Sequence, residues 1–221
     1  VVEFDGPRGP VRVVDGVSFD VGAGEVLGIV GESGSGKSVS LLAVMGLLPA
    51  GARIAGGEIR FDGARIDDAP EAALRALRGG AVSMIFQDPM TSLNPVLRIG
   101  TQIGEAIRLH APGTPKAEVR ARVEALLGSV GVPDPATRAR QFPHEFSGGM
   151  RQRAMIAMAI ANGPRLLIAD EPTTALDVTI QAQVMDVLEG VCQGNHASMI
   201  LVTHDLGLVA ETADRIAVMY S

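Results

Sequence analysis

Apolar residues in this chain gather into short, nearly unbroken runs. Val26–Val30, Val82–Phe86, Leu166–Ala169, Met199–Val202 and Ile216–Met219 are four or five residues each. Runs of that length, bounded by Gly or acidic residues, predict strands buried on both faces. Val11–Val14 and Val17–Val21 predict shorter β segments, with Glu58–Phe61 as a partner. A Gly-rich loop after Val30 leads into a predicted helix from Lys37 to about Met45. From Thr91 to about Ala161 the pattern turns helical. Lys116–Val130 places Val119, Val123, Leu126, Leu127 and Val130 near helical spacing, and Gly131 and Pro133 end it. Gly149–Ala161 predicts another helix, and Pro112–Pro115 a surface turn. The order implies an α/β core with a mainly parallel sheet, antiparallel β segments near the N-terminus, and an α-helical subdomain inserted at approximately 91–161. No internal repeat is visible.

Composition narrows the class. With 221 residues, 47% of them hydrophobic, the chain can bury one sizeable core, so 1–221 reads as a single domain. A net charge of -6 argues against a broad nucleic-acid surface. Cys192 is the only cysteine, which excludes an intramolecular disulfide and suits a reducing compartment. No apolar run approaches the ~20 residues that cross a bilayer, so membrane association would come through a partner. The chain opens on Val1 without Met and stops just after a strand-like run, and reads as a fragment of a longer protein. Lys37 and Lys116 are its only lysines, which draws attention to Lys37.

Lys37 closes the run Gly31-Glu32-Ser33-Gly34-Ser35-Gly36-Lys37-Ser38, which fits G-x-x-x-x-G-K-[ST] between a predicted strand and a predicted helix. Glycines let backbone N–H groups close around phosphate oxygens, and the helix N-terminus adds partial positive charge. Lys37 would reach the β- and γ-phosphates, and the Ser38 hydroxyl would ligate Mg²⁺. A second apolar run ends in Asp170-Glu171. Ligands of open α/β sheets sit beyond the carboxyl ends of strands. There Asp170 would hold Mg²⁺, and Glu171 would orient or deprotonate an attacking water.

Phe146-Ser147-Gly148-Gly149-Met150, ahead of Asp170-Glu171 and of a predicted helix, resembles the signature of the ABC (ATP-binding cassette) ATPases, usually written LSGGQ. Phe146 stands where the family has Leu and Met150 where it has Gln; the Ser-Gly-Gly core is intact. The resemblance implies a P-loop NTPase fold of the ABC type, with ATP and Mg²⁺ as cofactors. It implies that Gln87 is the Q-loop glutamine that senses Mg²⁺ and the γ-phosphate. Ala175-Leu176-Asp177 is similar to the D-loop, which crosses to a partner domain. His204 resembles the switch histidine, and Phe4 the aromatic that stacks on adenine. Ser147, Gly148, Gly149 and Asp177 would act in trans, on the nucleotide of a second ABC ATPase domain, either a related subunit or a second copy.

The resemblance is narrower still. Phe86 through Pro95, Pro143 through Arg153 and Asp170 through Gln183 resemble the oligopeptide/dipeptide/nickel importer ATPases. That implies two membrane permease subunits, a substrate-binding protein acting indirectly, and a peripheral position on the cytoplasmic face of a bacterial cell membrane. The segment after Gln87 would receive a permease helix, and a C-terminal extension would be absent here. The alternative is a soluble ABC ATPase acting on DNA or the ribosome. Against it stand the acidic charge and the lack of a long heptad insertion between Gln87 and Ser147. His110, His144 and His196 have no metal-ligand spacing with Cys192 and read as structural.

Overall fold

In the computed structural model, residues 1–87, 92–173 and 178–220 are described, the side chain of Asn195 excepted. A parallel sheet of β3 (Val26–Gly31), β7 (Val82–Ile85), β8 (Leu166–Asp170), β9 (Ser198–Val202) and β10 (Arg215–Met219) runs through the middle of the chain's fold. Its order among the described residues is β10-β3-β9-β8-β7. The apolar runs are continuous because both faces are covered. Leu167, Ala169, Met199 and Leu201 face one cluster, while Ile168, Ile200 and Val202 face the other, with Leu27, Ile29 and Leu41.

The first cluster belongs to the helical side. There α3 (Ile99–His110), α4 (Lys116–Ser129), the short α5 (Pro135–Arg138) and α6 (Gly148–Ala159) pack together, and α6 lies on β7. Helix α4 buries Val119, Val123 and Leu127, the stripe its periodicity predicts, and Gly131 follows its cap with φ +73°. On the other side α1 (Lys37–Val44) follows the loop after β3, and the short α2 (Glu71–Leu77) comes ahead of β7 in the chain. The long α7 (Val178–Asn195) joins β8 to β9, and α8 (Leu206–Thr212) joins β9 to β10. Gly28 lets α8 seat on β3: a Cβ there would stand 2.4 Å from Cγ1 of Val209.

The antiparallel layer differs in detail from the sequence expectation. The pairing is β2 (Val11–Val14) with β1 (Val2–Phe4), and β1 with β4 (Ala52–Ile54). Val17–Val21 is not a strand, and its alternation has another cause: Phe19 and Val21 pack side chains onto the central core without joining a ladder. Of Glu58–Phe61 only Arg60–Phe61 (β5) is strand, and it pairs with Ala64–Arg65 (β6). The two-residue turn Asp62-Gly63 explains that choice. Both residues have positive φ, +52° and +77°, as the tightest hairpin turn requires. Burial raises the Cys192 thiol to about 11, leaving it a core side chain with no thiolate at neutral pH.

Gly28→Ala is expected to destabilise the protein by about 1–3 kcal/mol, the usual range for overpacking. Urea unfolding monitored by circular dichroism measures it. An unchanged midpoint would mean that α8 does not seat on β3 as described.

Candidate functional site

In a parallel ladder, strands in register end level with one another. Ile29 pairs with Val202, Val202 with Asp170, and Ala169 with Ile85. The residues just past these pairs therefore emerge at one edge of the sheet: the loop after Gly31, then Glu171, His204 and Gln87.

The loop's shape rests on its glycines. Gly34 and Gly36 have φ of +86° and +91°, where side-chain-bearing residues are strained. Gly36 is also crowded, since a Cβ would stand 3.0 Å from the Val13 carbonyl oxygen. At Gly31 a Cβ would lie 2.1 Å from the Met219 carbonyl oxygen, so β10 closes against the loop's root. The Ser40 hydroxyl donates to the Gly36 carbonyl at 2.9 Å. Lys37 is only 7% exposed, and its ammonium donates to the carbonyls of Gly31 and Glu32, both at 2.7 Å. Helix α1 has no side-chain cap and no acid in its first turn. Its leading N–H groups thus remain donors for an anion.

Asp170 ends β8 and is 4% exposed. Burial holds its carboxyl above the usual aspartate range, and the charge of Glu171 adds to this; the Ser38 hydrogen bond and the Lys37 charge oppose. Its Oδ1 is buried without a hydrogen-bond partner. An orphaned carboxylate oxygen beside a serine hydroxyl fits a hard cation that keeps most of its water, as Mg²⁺ does. Among the described residues no group of three or more His, Cys, Asp or Glu could hold a metal by itself.

Glu171 takes an uncommon backbone conformation, φ +47°, with its N–H bonded to the Val202 carbonyl at 2.9 Å. The left-handed turn aims the carboxylate between its neighbours. Gln87 Nε2 donates to Glu171 Oε2 at 3.0 Å, and His204 Nδ1 lies 3.8 Å from the same oxygen. Three strands, β7, β8 and β9, therefore deliver three side chains to one point. His204 is exposed, yet its neighbours fix its backbone. Thr203 N–H donates to Ile29, and Asp205 caps α8 by accepting from Gly207 and Leu208 at 2.9 and 3.2 Å. Sequence reading passed over Thr203 and Asp205; an acid directly before an apolar helical run was the available signal.

Lys37, Ser38, Asp170, Glu171, Gln87 and His204 thus share one edge. Ser147, Gly148 and Gly149 do not join them. Ser147 caps α6, accepting from the Met150 N–H at 3.3 Å, and it and Gly148 are exposed. Helix α6 lies on β7, three strands from β3, or about 14 Å at ordinary strand spacing. Phe146 is 3% exposed inside the helical core, so the ring replaces one apolar anchor with another. Phe4 is half-buried on β1, against a cluster that includes Val2, Val14 and Ala43. Asp177, with Ala175 and Leu176, lies outside the described residues, as do 88–91.

A glycine-shaped phosphate loop at the head of a parallel sheet, with acids ending a strand two places away, defines a nucleoside-triphosphate-binding α/β domain. Residues 14–174 match the ABC transporter family profile. The dipeptide transport ATP-binding protein DppD of Escherichia coli (strain K12) is 54% identical over 220 residues, 100% of this chain and 67% of that protein. DppD of Bacillus subtilis (strain 168) is 52% identical over 221 residues, 100% of this chain and 66% of that protein. The oligopeptide transport ATP-binding protein OppD of Salmonella typhimurium is 52% identical over 220 residues, 100% of this chain and 65% of that protein. The chain spans about two thirds of the length of these relatives. A dimeric ATP-binding cassette in a post-hydrolysis state, bound to ADP and Pi, superposes with a TM-score of 0.86 at 26% identity, over 99% of this chain and 94% of that one. The chain belongs to the ABC transporter family and carries its ATP-binding cassette.

A carboxyl that binds its proton more tightly when folded costs stability as it ionises. Stability therefore falls as pH rises above the usual aspartate value, 3.8, through the raised one. Asp170→Asn is expected to flatten that decline and to stabilise the protein at neutral pH, without nucleotide, by about 1 kcal/mol. Urea titrations across pH test this; parallel pH profiles for the two proteins would contradict the buried, ionisable Asp170.

Proposed function

We propose that this chain is the ATP-hydrolysing motor of a peptide importer. The observation that carries the hydrolytic part is the meeting of Gln87 and His204 on one carboxylate oxygen of Glu171, beside Asp170 and the phosphate loop. The importer part rests on relatives named for dipeptide and oligopeptide transport.

The backbone N–H groups of Gly31 through Lys37, with the Lys37 ammonium, take the β- and γ-phosphates of ATP. That requires the ammonium to leave the Gly31 and Glu32 carbonyls for phosphate oxygens, a trade of neutral acceptors for charged ones. Ser38 and Asp170 would hold Mg²⁺, with Gln87 alongside, and the ion would supply neutralisation of charge on the phosphate oxygens. Glu171 orients a water and draws on its proton as the water oxygen bonds to the γ-phosphorus. The bond from that phosphorus to the bridging oxygen breaks, and ADP keeps the electron pair. His204 donates a hydrogen bond to the γ-phosphate. Phe4 is assigned to the adenine ring.

Within one chain the Ser147-Gly148-Gly149 nest heads a helix packed on β7, while the phosphate loop follows β3, three strands away. It is therefore assigned to the nucleotide of a second cassette, with Asp177 crossing beside it. The dimeric form of the solved cassette supports that arrangement. Two permease subunits would receive the motion, and a substrate-binding protein would feed them. The likeness to importer ATPases would put the chain peripherally on the cytoplasmic face; no helix among the described residues is long and apolar enough to cross a membrane.

Glu171→Gln in the full-length protein is expected to bind ATP normally and to lose about 10²–10⁴-fold in phosphate release, the range for removing a general base. In cells that depend on an imported dipeptide for an essential amino acid, the same variant is expected to stop growth. Near-normal phosphate release would remove Glu171 from the mechanism. Unimpaired dipeptide uptake alongside abolished hydrolysis would remove the importer assignment and favour the DNA or ribosome alternative.

A further inference from the structure

Helix α6, which carries the Ser147 nest, is fastened to α7, the helix that follows the strand ending in Asp170. Gly149 has no room for a side chain, because a Cβ would stand 2.8 Å from Cγ2 of Ile180 in the first turn of α7. One turn further along α6, Arg153 Nη2 donates to Gln183 Oε1 on α7 at 2.7 Å. Its Nη1 donates to the Val130 carbonyl at the end of α4, also at 2.7 Å. Gly131 makes space for that second bond: a Cβ there would stand 2.2 Å from Nη1. An exposed side-chain pair by itself would be loose. Here the Val130 carbonyl pins one arm of the planar guanidinium and so aims the other at Gln183.

Only six residues separate Glu171 from Val178, where α7 begins. The same helix that holds the nest is thereby tied to the segment leaving the chain's own hydrolytic acids. We infer that Arg153, acting through Gln183, is a positioning residue that couples the two ATP sites of a dimer. The nest engages the partner's nucleotide; the strap passes any displacement of α6 to α7 and so to Asp170 and Glu171. This rests on the proposed reading that Ser147 completes the partner's site.

Gln183→Leu isolates the link, because it removes the acceptor on α7 while Arg153 keeps the Val130 carbonyl. Gln183→Glu retains an acceptor and serves as the rescue. The full-length protein, assembled with its second ATPase subunit, is assayed for phosphate release against ATP concentration, with melting temperature in parallel. Gln183→Leu is expected to lower kcat about three- to tenfold, the scale of mutations along a coupling route. The Hill coefficient should fall toward unity at unchanged melting temperature. Gln183→Glu should keep both, and Arg153→Ala on the Gln183→Leu background should add little to the loss of cooperativity. Unchanged cooperativity in Gln183→Leu, equal loss in Leu and Glu variants, or losses that follow the melting temperature would each overturn the strap. Ser147→Arg separates the two levels. If it abolishes hydrolysis while Gln183→Leu is silent, only the strap fails; if it leaves hydrolysis intact, the trans reading fails with it.

Discussion

A parallel ladder in register holds the site together. Each of β3, β7, β8 and β9 contributes only one to a few chemically active residues, and none of the four strands could assemble the set alone. Because Ile29, Val202 and Asp170 are paired across three strands, and Ile85 with Ala169, the residues just beyond them have little choice about where they emerge. A slip of one residue would turn each apolar side chain to the wrong face as well as misplacing the chemistry. The two buried clusters therefore guard the register, and the register guards the site. The short loops add the fine adjustment: Asp205 capping α8 for His204, and the left-handed turn at Glu171.

The groups at this edge are not arranged for stability. Asp170 is a buried carboxylate with an unpartnered oxygen, and Glu171 sits in backbone geometry that costs on the order of 1–3 kcal/mol. Both costs are carried by a sheet covered on both faces. The same logic separates the Ser147 nest from the rest. It heads a helix packed on β7, with Ser147 and Gly148 exposed, Phe146 buried beneath them and Gly149 close against Ile180 of α7. An exposed nest is what its proposed assignment to a second cassette's nucleotide requires.

Much of this was legible in the sequence because the relevant signals are local. Apolar runs of four or five residues marked all five strands of the parallel sheet, and the spacing of Gly31, Gly36 and Lys37 marked the loop that follows one of them. What failed was pairing. Val17–Val21 alternates like a strand, but Phe19 and Val21 serve the core without a ladder. The partner of Val11–Val14 proved to be Val2–Phe4, a choice set by the antiparallel layer over α1, which no local pattern announces. Thr203 and Asp205 were missed for a related reason. Their part is to fix His204's backbone; the cap at Asp205 had a local signal in the apolar run that follows it, whereas the Thr203 bond to Ile29 shows only once the ladder is drawn. The link from Arg153 to Gln183 joins residues thirty apart in sequence, beyond the reach of periodicity.

The Lys37 ammonium spans its own loop, bonded to the first two carbonyls of the turn that it closes. A loop cross-braced in this way holds its curvature through its own cation. Its ordering entropy is then charged to folding, and phosphate meets a rigid cradle. Encounter would be governed by diffusion and by exchange of the ammonium's partners more than by a search through loop conformations. An arginine could not do the same: its fixed, planar fork is too wide to swing from two adjacent carbonyls to an incoming phosphate. In a chain that otherwise uses arginine for nearly all its positive charge, this is a physical reason for lysine at that position.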